Sequence, residues 1–410
     1  MIRKLLKIWL RYWAARVLLK YHPRIVAITG STGKTSTKEA VLKVLADPAT
    51  EMQVVGTRGN LNTEFGVTAT IIDPTFVGVE TNGKTKLRFR DICYLSWRAF
   101  RMLISRWPYP RVLILELAAD RPGDIRYFMS FIQPEVGILT NIGDVHLEFF
   151  GSKSELVEEK SLVIMHVKPK GLAILNQDDD FSKLISRKTP AKKILISAEG
   201  KADWYASDIG FGSSGIHFNA VSGNRILQVD LPVYGYQFVY AALIALAVGD
   251  YFHITPEIMV KRLAQYTVPT GRFEVVKLGE VIVIDDTYNA NPTSMLAALK
   301  SLARLGVNRR KIAILGDMRE LGSASERGHQ VVGEYAAKAV DQLWVVGKGG
   351  KLIKEYAIKA GLPIGQARNF GEDAIPTILQ DNNIVLVKGS RAVGMDKIVA
   401  AMKHYFHERS

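Results

Sequence analysis

The chain has 410 residues, of which 48% are hydrophobic, and it carries a formal net charge of +14. This length exceeds that of one ordinary domain and the apolar content is enough for two cores, so we expect two domains. The single cysteine, Cys93, excludes an internal disulfide and a cysteine-based zinc site, which predicts a protein of the reducing cytoplasm.

The positive charge is concentrated in two short segments. Residues 1–24 contain seven lysines and arginines and no acidic residue, and residues 84–111 contain eight with one acidic residue, Asp91. The two segments together account for the whole net charge and hold four of the six tryptophans. The remainder of the chain is therefore neutral overall.

The first segment predicts an amphipathic helix over residues 1–22. Lys4, Lys7 and Arg11 follow helical spacing, and aromatic and aliphatic side chains occupy other positions. This combination is typical of helices that lie on an anionic membrane surface. Charges interrupt both segments long before about 20 apolar residues accumulate, so neither is expected to span a bilayer or to act as a secretory signal. Packing on the protein's own core is the main alternative, and nucleic acid is not the expected partner.

A phosphate-binding loop follows the first predicted strand. The apolar run 24–29 leads into the segment Gly30–Lys38, and a helical pattern at Glu39–Leu45 follows it. Glycines let backbone amides approach phosphate oxygens, and the helix N-terminus adds a favourable dipole. Lys34 can reach the β- and γ-phosphates, and Thr35 can hold Mg²⁺. Ile28 stands where the full signature has glycine, so the flanking strand and helix carry the prediction that the chain binds a nucleotide.

Short apolar runs alternate with helical patterns beyond the loop, which predicts an α/β fold with a mostly parallel sheet. The runs are residues 112–117, 136–142, 172–176 and 194–197, with helical patterns later at 236–250 and 256–266. Between about Ala202 and Leu231, glycines break shorter alternating pieces, which predicts a small antiparallel patch. We expect a central P-loop domain at 23–268, with an insertion at about 79–110.

The turn at 268–271 predicts a domain boundary, because it combines proline and glycine at the end of a helical pattern. Beyond it the alternation begins again, with strands at 281–285, 311–315, 343–346 and 384–387 and helices such as 294–305 and 396–405. This predicts a C-terminal Rossmann-like, doubly wound domain at 269–410.

Four polar clusters come just after predicted strands. Glu116 ends one strand and can meet a Mg²⁺ held by Thr35, although a carboxylate that caps the next helix is an equal alternative. The other clusters are residues 140–148, 284–292 and 314–322. Ligands of doubly wound sheets bind at the carboxyl ends of strands. We therefore expect ATP in a cleft between the two domains.

The chain resembles the Mur ligases, the ATP-dependent amide-forming enzymes of peptidoglycan precursor synthesis. The matching stretches are residues 29–38, 59–62, 140–143 with 146–148, 271–274, 286–295, 316–322 and 388–391. The resemblance implies a ligase that adds D-alanyl-D-alanine to a muramoyl tripeptide. A carboxylate attacks the γ-phosphate of ATP, and an amine then attacks the acyl phosphate, so positioning and charge neutralisation supply the catalysis.

The resemblance also implies roles for individual residues. The expected catalytic residues are Lys34, Lys160, His146 and Arg272. The expected nucleotide-binding residues are Gly30, Ser31, Thr32, Gly33, Lys34, Thr35, Ser36, Arg272, Asp286, Tyr288, Asn289 and Asn291. The expected ligands of two Mg²⁺ ions are Thr35, Glu116, His146 and Lys160. Lys160 matches a lysine that is carbamylated in several members, which would convert an ammonium into an oxygen ligand; a solvated helix lysine is the alternative.

One departure from the family pattern concerns the acceptor. Family members carry a further N-terminal domain that holds the UDP part of the substrate, whereas 29 residues precede Gly30 here. We expect the amine to resemble D-alanyl-D-alanine and the acceptor to be a small-molecule or lipid-linked muramoyl peptide, used in the cytoplasm or peripherally at the inner face of the membrane. A different acceptor or amine is one alternative, and a nucleotide-binding scaffold without turnover is another.

Overall fold

The computed structural model describes residues 2–46, 53–77, 79–81, 84–86, 88–143, 147–212, 214–380 and 382–408. The helices are α1 (Ile2–Tyr21), α2 (Lys34–Leu45), α3 (Glu64–Ile72), α4 (Phe89–Ile104), α5 (Asp124–Met129), α6 (Lys153–Met165), α7 (Asp180–Ser186), α8 (Gln237–Tyr251), α9 (Pro256–Leu263), α10 (Pro292–Leu305), α11 (Ser325–Ala339), α12 (Gly347–Lys359), α13 (Ile375–Ile378) and α14 (Asp396–His407). The strands are β1 (Arg24–Thr29), β2 (Val54–Gly56), β3 (Val79–Thr81), β4 (Lys84–Lys86), β5 (Val112–Glu116), β6 (Val136–Leu139), β7 (Leu172–Asn176), β8 (Lys192–Ser197), β9 (Trp204–Gly212), β10 (Gly215–Ser222), β11 (Arg225–Leu231), β12 (Glu274–Leu278), β13 (Val281–Asp286), β14 (Arg310–Leu315), β15 (Gln342–Val345), β16 (Ala367–Asn369) and β17 (Asn383–Lys388).

The first sheet is mostly parallel. Within the described residues it has nine strands in the order β11-β10-β9-β8-β7-β6-β1-β5-β2. The strands from β9 to β2 in that order are parallel, and β9, β10 and β11 pair antiparallel. Strands β5, β6 and β7 are buried along their whole length, as expected where helices cover both faces. The predicted sheet type and antiparallel patch are confirmed, and the patch extends the edge of the same sheet.

The second sheet has the order β12-β13-β17-β14-β15-β16. Its strands are parallel except β12, which pairs antiparallel with β13 at one edge. Every residue of β17 is buried, so this strand lies in the middle of a sheet that is covered on both faces. The predicted doubly wound C-terminal sheet is confirmed.

Helix α1 contacts α3 and α4 and buries one face against the central domain. Leu10, Ala14 and Val17 on that face are fully buried in a cluster with strand β5 and helix α4. Helix α1 thus lies within the segment predicted to be helical, and packing on the protein's own core accounts for one of its faces. Among the described residues, no helix is both long enough and apolar enough to cross a membrane.

The two sheets place their polar strand ends around one cleft of about 2530 Å³. Strands β1, β5 and β6 lie side by side in the first sheet, and their carboxyl ends supply the loops at 30–33, 117–123 and 140–143. The ends of strands β13 and β17 of the second sheet contribute residues 285–291, 388 and 390–394 to the same cleft.

Candidate active site

The loop between β1 and α2 is built around two glycines with positive φ angles. Gly30 has a φ of 147°, and a β-carbon there would collide with the hydroxyl oxygen of Thr140. Gly33 has a φ of 77° and immediately precedes α2. Only glycine adopts these angles without strain while leaving room for a ligand. The backbone amides at the start of α2 are therefore placed where a helix N-terminus could bind phosphate.

A second segment, residues 140–143 after β6, fixes the shape of this loop. The Thr140 hydroxyl donates to the Thr32 carbonyl at 2.6 Å, and the Asn141 amide donates to the Thr32 hydroxyl at 2.6 Å. The Thr32 backbone amide donates to Asn141 Oδ1 at 2.9 Å, and the Gly143 amide donates to Ser31 Oγ at 2.9 Å. This polar cluster of the sequence therefore preorganises the phosphate-binding loop.

Two lysines, Lys160 fully buried and Lys34 partly buried, donate to the carbonyl of Gly30. Lys34 Nζ donates to it at 2.7 Å and Lys160 Nζ, from α6, at 3.2 Å. Burial lowers the pKa of Lys34, while the nearby carboxylate of Glu116 opposes that shift. Burial, followed by the charge of Lys34, lowers the pKa of Lys160 to about 7. Lys160 is 1% exposed, so the solvated helix lysine considered above is excluded.

Glu116 and Thr35 form a candidate cation site. Glu116 Oε1 accepts hydrogen bonds from Thr35 Oγ1 at 3.1 Å and from Asn62 Nδ2 at 3.0 Å. Its other oxygen, Oε2, is buried and has no partner among the described residues. An unpartnered buried carboxylate oxygen beside a hydroxyl fits Mg²⁺, which binds through one or two protein oxygens together with substrate phosphates.

The described residues contain no group of three or more His, Cys, Asp or Glu side chains that could hold a metal ion. A cation at Glu116 would therefore take most of its ligands from phosphate and water. His146, a predicted ligand of the second Mg²⁺, lies outside the described residues.

Across the cleft, Asp286 is held by a buried lysine. Its Oδ2 pairs with Lys388 Nζ at 2.7 Å, and its Oδ1 accepts from the Phe273 amide at 3.1 Å. Lys388 Nζ also donates to the Asn289 carbonyl at 2.9 Å. Lys388 is 2% exposed, so the pair needs this hydrogen bonding to offset the loss of solvation.

Arg272 and Tyr288 connect the C-terminal domain to the central one. The Arg272 guanidinium lies 3.9 Å from the centre of the Tyr288 ring, a cation–π geometry, and Arg391 lies 5.2 Å from the same ring. The Tyr288 hydroxyl donates to Asn60 Oδ1 in the central domain. Gly271, with a φ of 69°, makes the turn that places Arg272 there.

Asn291 is used as a helix cap. Its side-chain Oδ1 accepts a hydrogen bond from the Ser294 backbone amide at 2.9 Å, and its backbone amide donates to Ser294 Oγ at 3.1 Å. Asn289 Oδ1 likewise accepts a local bond, from the Ala290 amide at 2.9 Å. Both asparagines line the cleft, and their contact with a nucleotide stays a prediction.

Most predicted site residues line the one cleft. These are Ser31, Thr32, Gly33, Lys34, Thr35, Ser36, Glu116, Arg272, Asp286, Tyr288, Asn289 and Asn291. Gly30 and Lys160 lie behind the loop, joined by their hydrogen bond. The individual predictions omitted Asn62, Lys388 and Asp120; the Asp120 carboxylate opposes the lowering of the pKa of both Lys34 and Lys160. Asp120 lies four residues beyond Glu116, past the end of β5, and this position in the sequence could have identified it as a site residue.

Two family models match the chain. Residues 102–249 match the Mur ligase middle domain, and residues 271–391 match the Mur ligase, glutamate ligase domain. The UDP-N-acetylmuramoyl-tripeptide--D-alanyl-D-alanine ligase of Mycobacterium tuberculosis (strain CDC 1551 / Oshkosh) is 31% identical over 407 residues, covering 92% of this chain and 72% of the relative. The enzyme of the same name from Escherichia coli (strain K12) is 28% identical over 401 residues, covering 95% of this chain and 79% of the relative.

Solved structures give the same result. MurF from Acinetobacter baumannii superposes with a TM-score of 0.78 at 28% identity, covering 97% of this chain and 80% of that one. The MurF ligase from Thermotoga maritima, solved in complex with ADP, has a TM-score of 0.80 at 24% identity and covers 98% of this chain and 85% of that one. The second similarity concerns the fold alone.

Proposed function

The chain belongs to the Mur ligase family, whose members are ATP-dependent ligases, and from this premise we propose that it adds D-alanyl-D-alanine to a muramoyl tripeptide. One observation carries the proposal. A preorganised phosphate loop with Lys34 and the Thr35–Glu116 pair shares a single cleft with Arg272 of the C-terminal domain. A γ-phosphate in the loop would therefore lie between cationic groups of both domains.

The reaction has two steps. The acceptor carboxylate attacks the γ-phosphorus of ATP, ADP leaves, and an acyl phosphate forms; the free amine of the dipeptide then attacks the acyl carbon, and phosphate and a proton leave. Lys34 and the backbone amides of the loop bind the phosphate oxygens and neutralise their charge, and Arg272 approaches the γ-phosphate from the C-terminal domain. Mg²⁺ bound by Thr35 and Glu116 would neutralise further phosphate charge.

A carbamate on Lys160 would complete the second cation site. The buried amine has a pKa of about 7, so a large fraction is neutral at physiological pH and able to attack CO₂. The addition gives a carbamate and releases one proton, and it would put negatively charged oxygens beside Gly30. We expect turnover to fall in CO₂-depleted buffer and to return on addition of bicarbonate. Equal turnover with and without CO₂ would show that the carbamate has no part in the mechanism.

A lipid-linked acceptor is the second candidate substrate, and one observation favours it. Lys4 and Lys7 of α1 line the same cleft as the phosphate loop, and the outer face of α1 is apolar and exposed. An acceptor carried on a lipid could enter the cleft along this helix. The enzyme would then work in the cytoplasm, peripherally at the inner face of the membrane.

The experiment is a ligation assay on the purified full chain. ATP, Mg²⁺ and D-alanyl-D-alanine are supplied with either UDP-linked or lipid-linked muramoyl tripeptide, and both phosphate and the amide product are measured. Lys34→Ala is the blank. We expect one phosphate per amide with at least one acceptor. Phosphate release without amide, or no product with either acceptor, would contradict the proposal.

A further inference from the structure

Helices α1 and α4 form a hydrogen-bonded pair on the surface of the central domain. Trp9 Nε1 of α1 donates to Ser96 Oγ of α4 at 2.8 Å. Lys20 Nζ donates to the carbonyls of Met102 and Ser105, both at 2.8 Å, and so caps the C-terminal end of α4. We call this unit, residues 2–21 with 89–104, the helix pair.

Helix α4 has two apolar stripes, and only one of them is buried. Its inner stripe faces the core and consists of the buried residues Ile92, Leu95, Ala99 and Met102. Its outer stripe repeats at helical spacing and is exposed: Phe89 is 80% exposed, Trp97 54%, Phe100 51% and Ile104 66%. An ordinary surface helix would place polar residues at these outer positions.

Helix α1 repeats this arrangement beside it. Opposite its buried face, Leu5 is 60% exposed, Ile8 55%, Tyr12 49% and Leu19 66%. Large exposed apolar side chains are normal when scattered, but two adjacent helices that expose such stripes mark an interaction surface.

The charges on the helix pair identify the partner. Its exposed cations include Lys4, Arg16, Arg90 and Arg101, whereas Asp91 is the single acidic residue on either helix. Asp91 is engaged locally, because its carboxylate accepts the Arg88 amide at 2.8 Å. Packing a second copy of the helix pair face to face would bring like charges together. Nucleic acid would pair with the basic side chains but offers little apolar surface to bury the exposed phenylalanine, leucine and isoleucine side chains.

We propose that the helix pair binds the surface of an anionic membrane, with its outer stripes in the interfacial region. Basic side chains meet anionic headgroups, apolar side chains enter the acyl boundary, and tryptophan and tyrosine are favoured at the interface between the two. The inference rests on the peripheral location proposed above and specifies its surface. Because Lys4 and Lys7 also line the cleft, docking places that end of the cleft at the headgroups.

Vesicle binding of the full chain tests the surface. The probe is phosphatidylglycerol and phosphatidylcholine vesicles, with pure phosphatidylcholine vesicles in parallel. Phe100→Glu with Ile104→Glu should lower the partition coefficient at least about 10-fold, since two apolar contacts are lost and two negative charges added. Val307→Glu with Ile364→Glu makes the same charge change at side chains that are 68% and 77% exposed in the C-terminal domain, and should have less than about a 2-fold effect.

The single cysteine supplies a second measurement. Cys93 is exposed on α4, so an environment-sensitive dye attached there reports insertion without further mutation. Its emission should shift to the blue with anionic vesicles and be quenched by spin-labelled lipids. The proposal is overturned if the wild type does not bind, if both glutamate pairs reduce binding equally, or if the dye stays in a polar environment. Ligation with a soluble acceptor should be unchanged in the Phe100→Glu, Ile104→Glu variant. A negative result for vesicle binding can therefore be distinguished from a failure of the ligase proposal.

Discussion

Lys160 is a residue where stability and chemistry conflict. Its amine is almost fully buried, and among the described residues it has no ion pair to offset the loss of solvation. The lowered pKa means that folding disfavours the protonated form. The same shift produces the neutral amine that carbamylation requires.

We predict that Lys160→Met stabilises the protein and abolishes turnover. The folded amine has a pKa of about 7 and the unfolded one an ordinary value near 10.5, so the wild type gains stability as the pH rises between these values. Below pH 7 the buried amine is protonated, and the full cost of burying its charge is present. Replacing it with methionine should therefore raise the free energy of unfolding by about 2 to 4 kcal/mol at these pH values. Thermal melts in CO₂-free buffer from pH 6 to 10 measure this.

Lys170→Met is the control, because Lys170 is exposed in the same domain and should leave the melting temperature nearly unchanged. A Lys160→Met variant that is less stable than the wild type at pH 6 would show that the buried lysine is protonated and stabilising.

Glu116 should control the requirement for Mg²⁺. Glu116→Gln keeps the oxygen that accepts from Thr35 and Asn62 but removes the charge of the carboxylate. We expect the Mg²⁺ concentration for half-maximal turnover to rise about 10- to 100-fold with little loss of stability. A titration of Mg²⁺ against phosphate release measures the change.

Glu159→Gln is the matched control for Glu116→Gln. Glu159 is also a buried glutamate of the central domain, but its carboxylate accepts the Ile125 and Arg126 amides at the start of α5. This control should lower the melting temperature and leave the Mg²⁺ requirement as it was. Equal Mg²⁺ responses in the two variants would remove Glu116 from the cation site.

At the scale of elements, the loop between β1 and α2 depends on the segment 140–143 packed against it. Gly30→Ala introduces a β-carbon that collides with the Thr140 hydroxyl, which holds Thr32. The loop must then move, so we predict that ATP binding weakens at least about 10-fold, measured by calorimetry. The fold should persist, because the collision lies at the rim of the sheet.

Gly223→Ala is the control that separates the collision with Thr140 from the backbone strain of placing alanine at a positive φ. Gly223 also has a positive φ, 57°, but its position leaves open space for a β-carbon. We expect a small loss of stability and unchanged ATP affinity. Comparable losses of ATP affinity in both variants would mean that the packing of the loop against residues 140–143 has no specific role in ATP binding.

The elements that the sequence predicted well are the buried strands, because an apolar run bounded by turns has few other uses. Helix starts were harder to predict. The hydrophobic pattern of α2 begins near Glu39, whereas the helix starts at Lys34, since its first turn is polar and carries no apolar pattern. Asn291, followed by Pro292 and Ser294, has the spacing of a capping box, and this signal within a polar turn was overlooked.

At the scale of the whole molecule, the contacts that close the cleft join residues far apart in sequence. A β-carbon on Gly143 would collide with Thr293 of the C-terminal domain, and Gly322 lies against the backbone of Glu148. The sequence predicted that a cleft would form at the strand ends but not these pairings, which periodicity does not encode. They follow from the packing of two finished domains.

Tyr288→Phe should weaken the link between the domains. The variant keeps the ring that stacks on Arg272 and removes the hydroxyl that donates to Asn60. Loss of about 1 kcal/mol predicts roughly a 5-fold fall in kcat/KM, with the melting temperature nearly unchanged. Tyr335→Phe, at the same cleft, is the control and should be neutral. A wild-type kcat/KM for Tyr288→Phe would mean that the Asn60 contact does not support closure.

The transfer of oxygen from acceptor to phosphate tests the central claim most directly. The carboxylate of the muramoyl tripeptide is labelled with ¹⁸O, ligation is run with ATP and D-alanyl-D-alanine, and the released phosphate is analysed by mass spectrometry. Ligation through an acyl phosphate places one ¹⁸O in the phosphate for each amide formed. Unlabelled phosphate, whether or not an amide is produced, would contradict this mechanism.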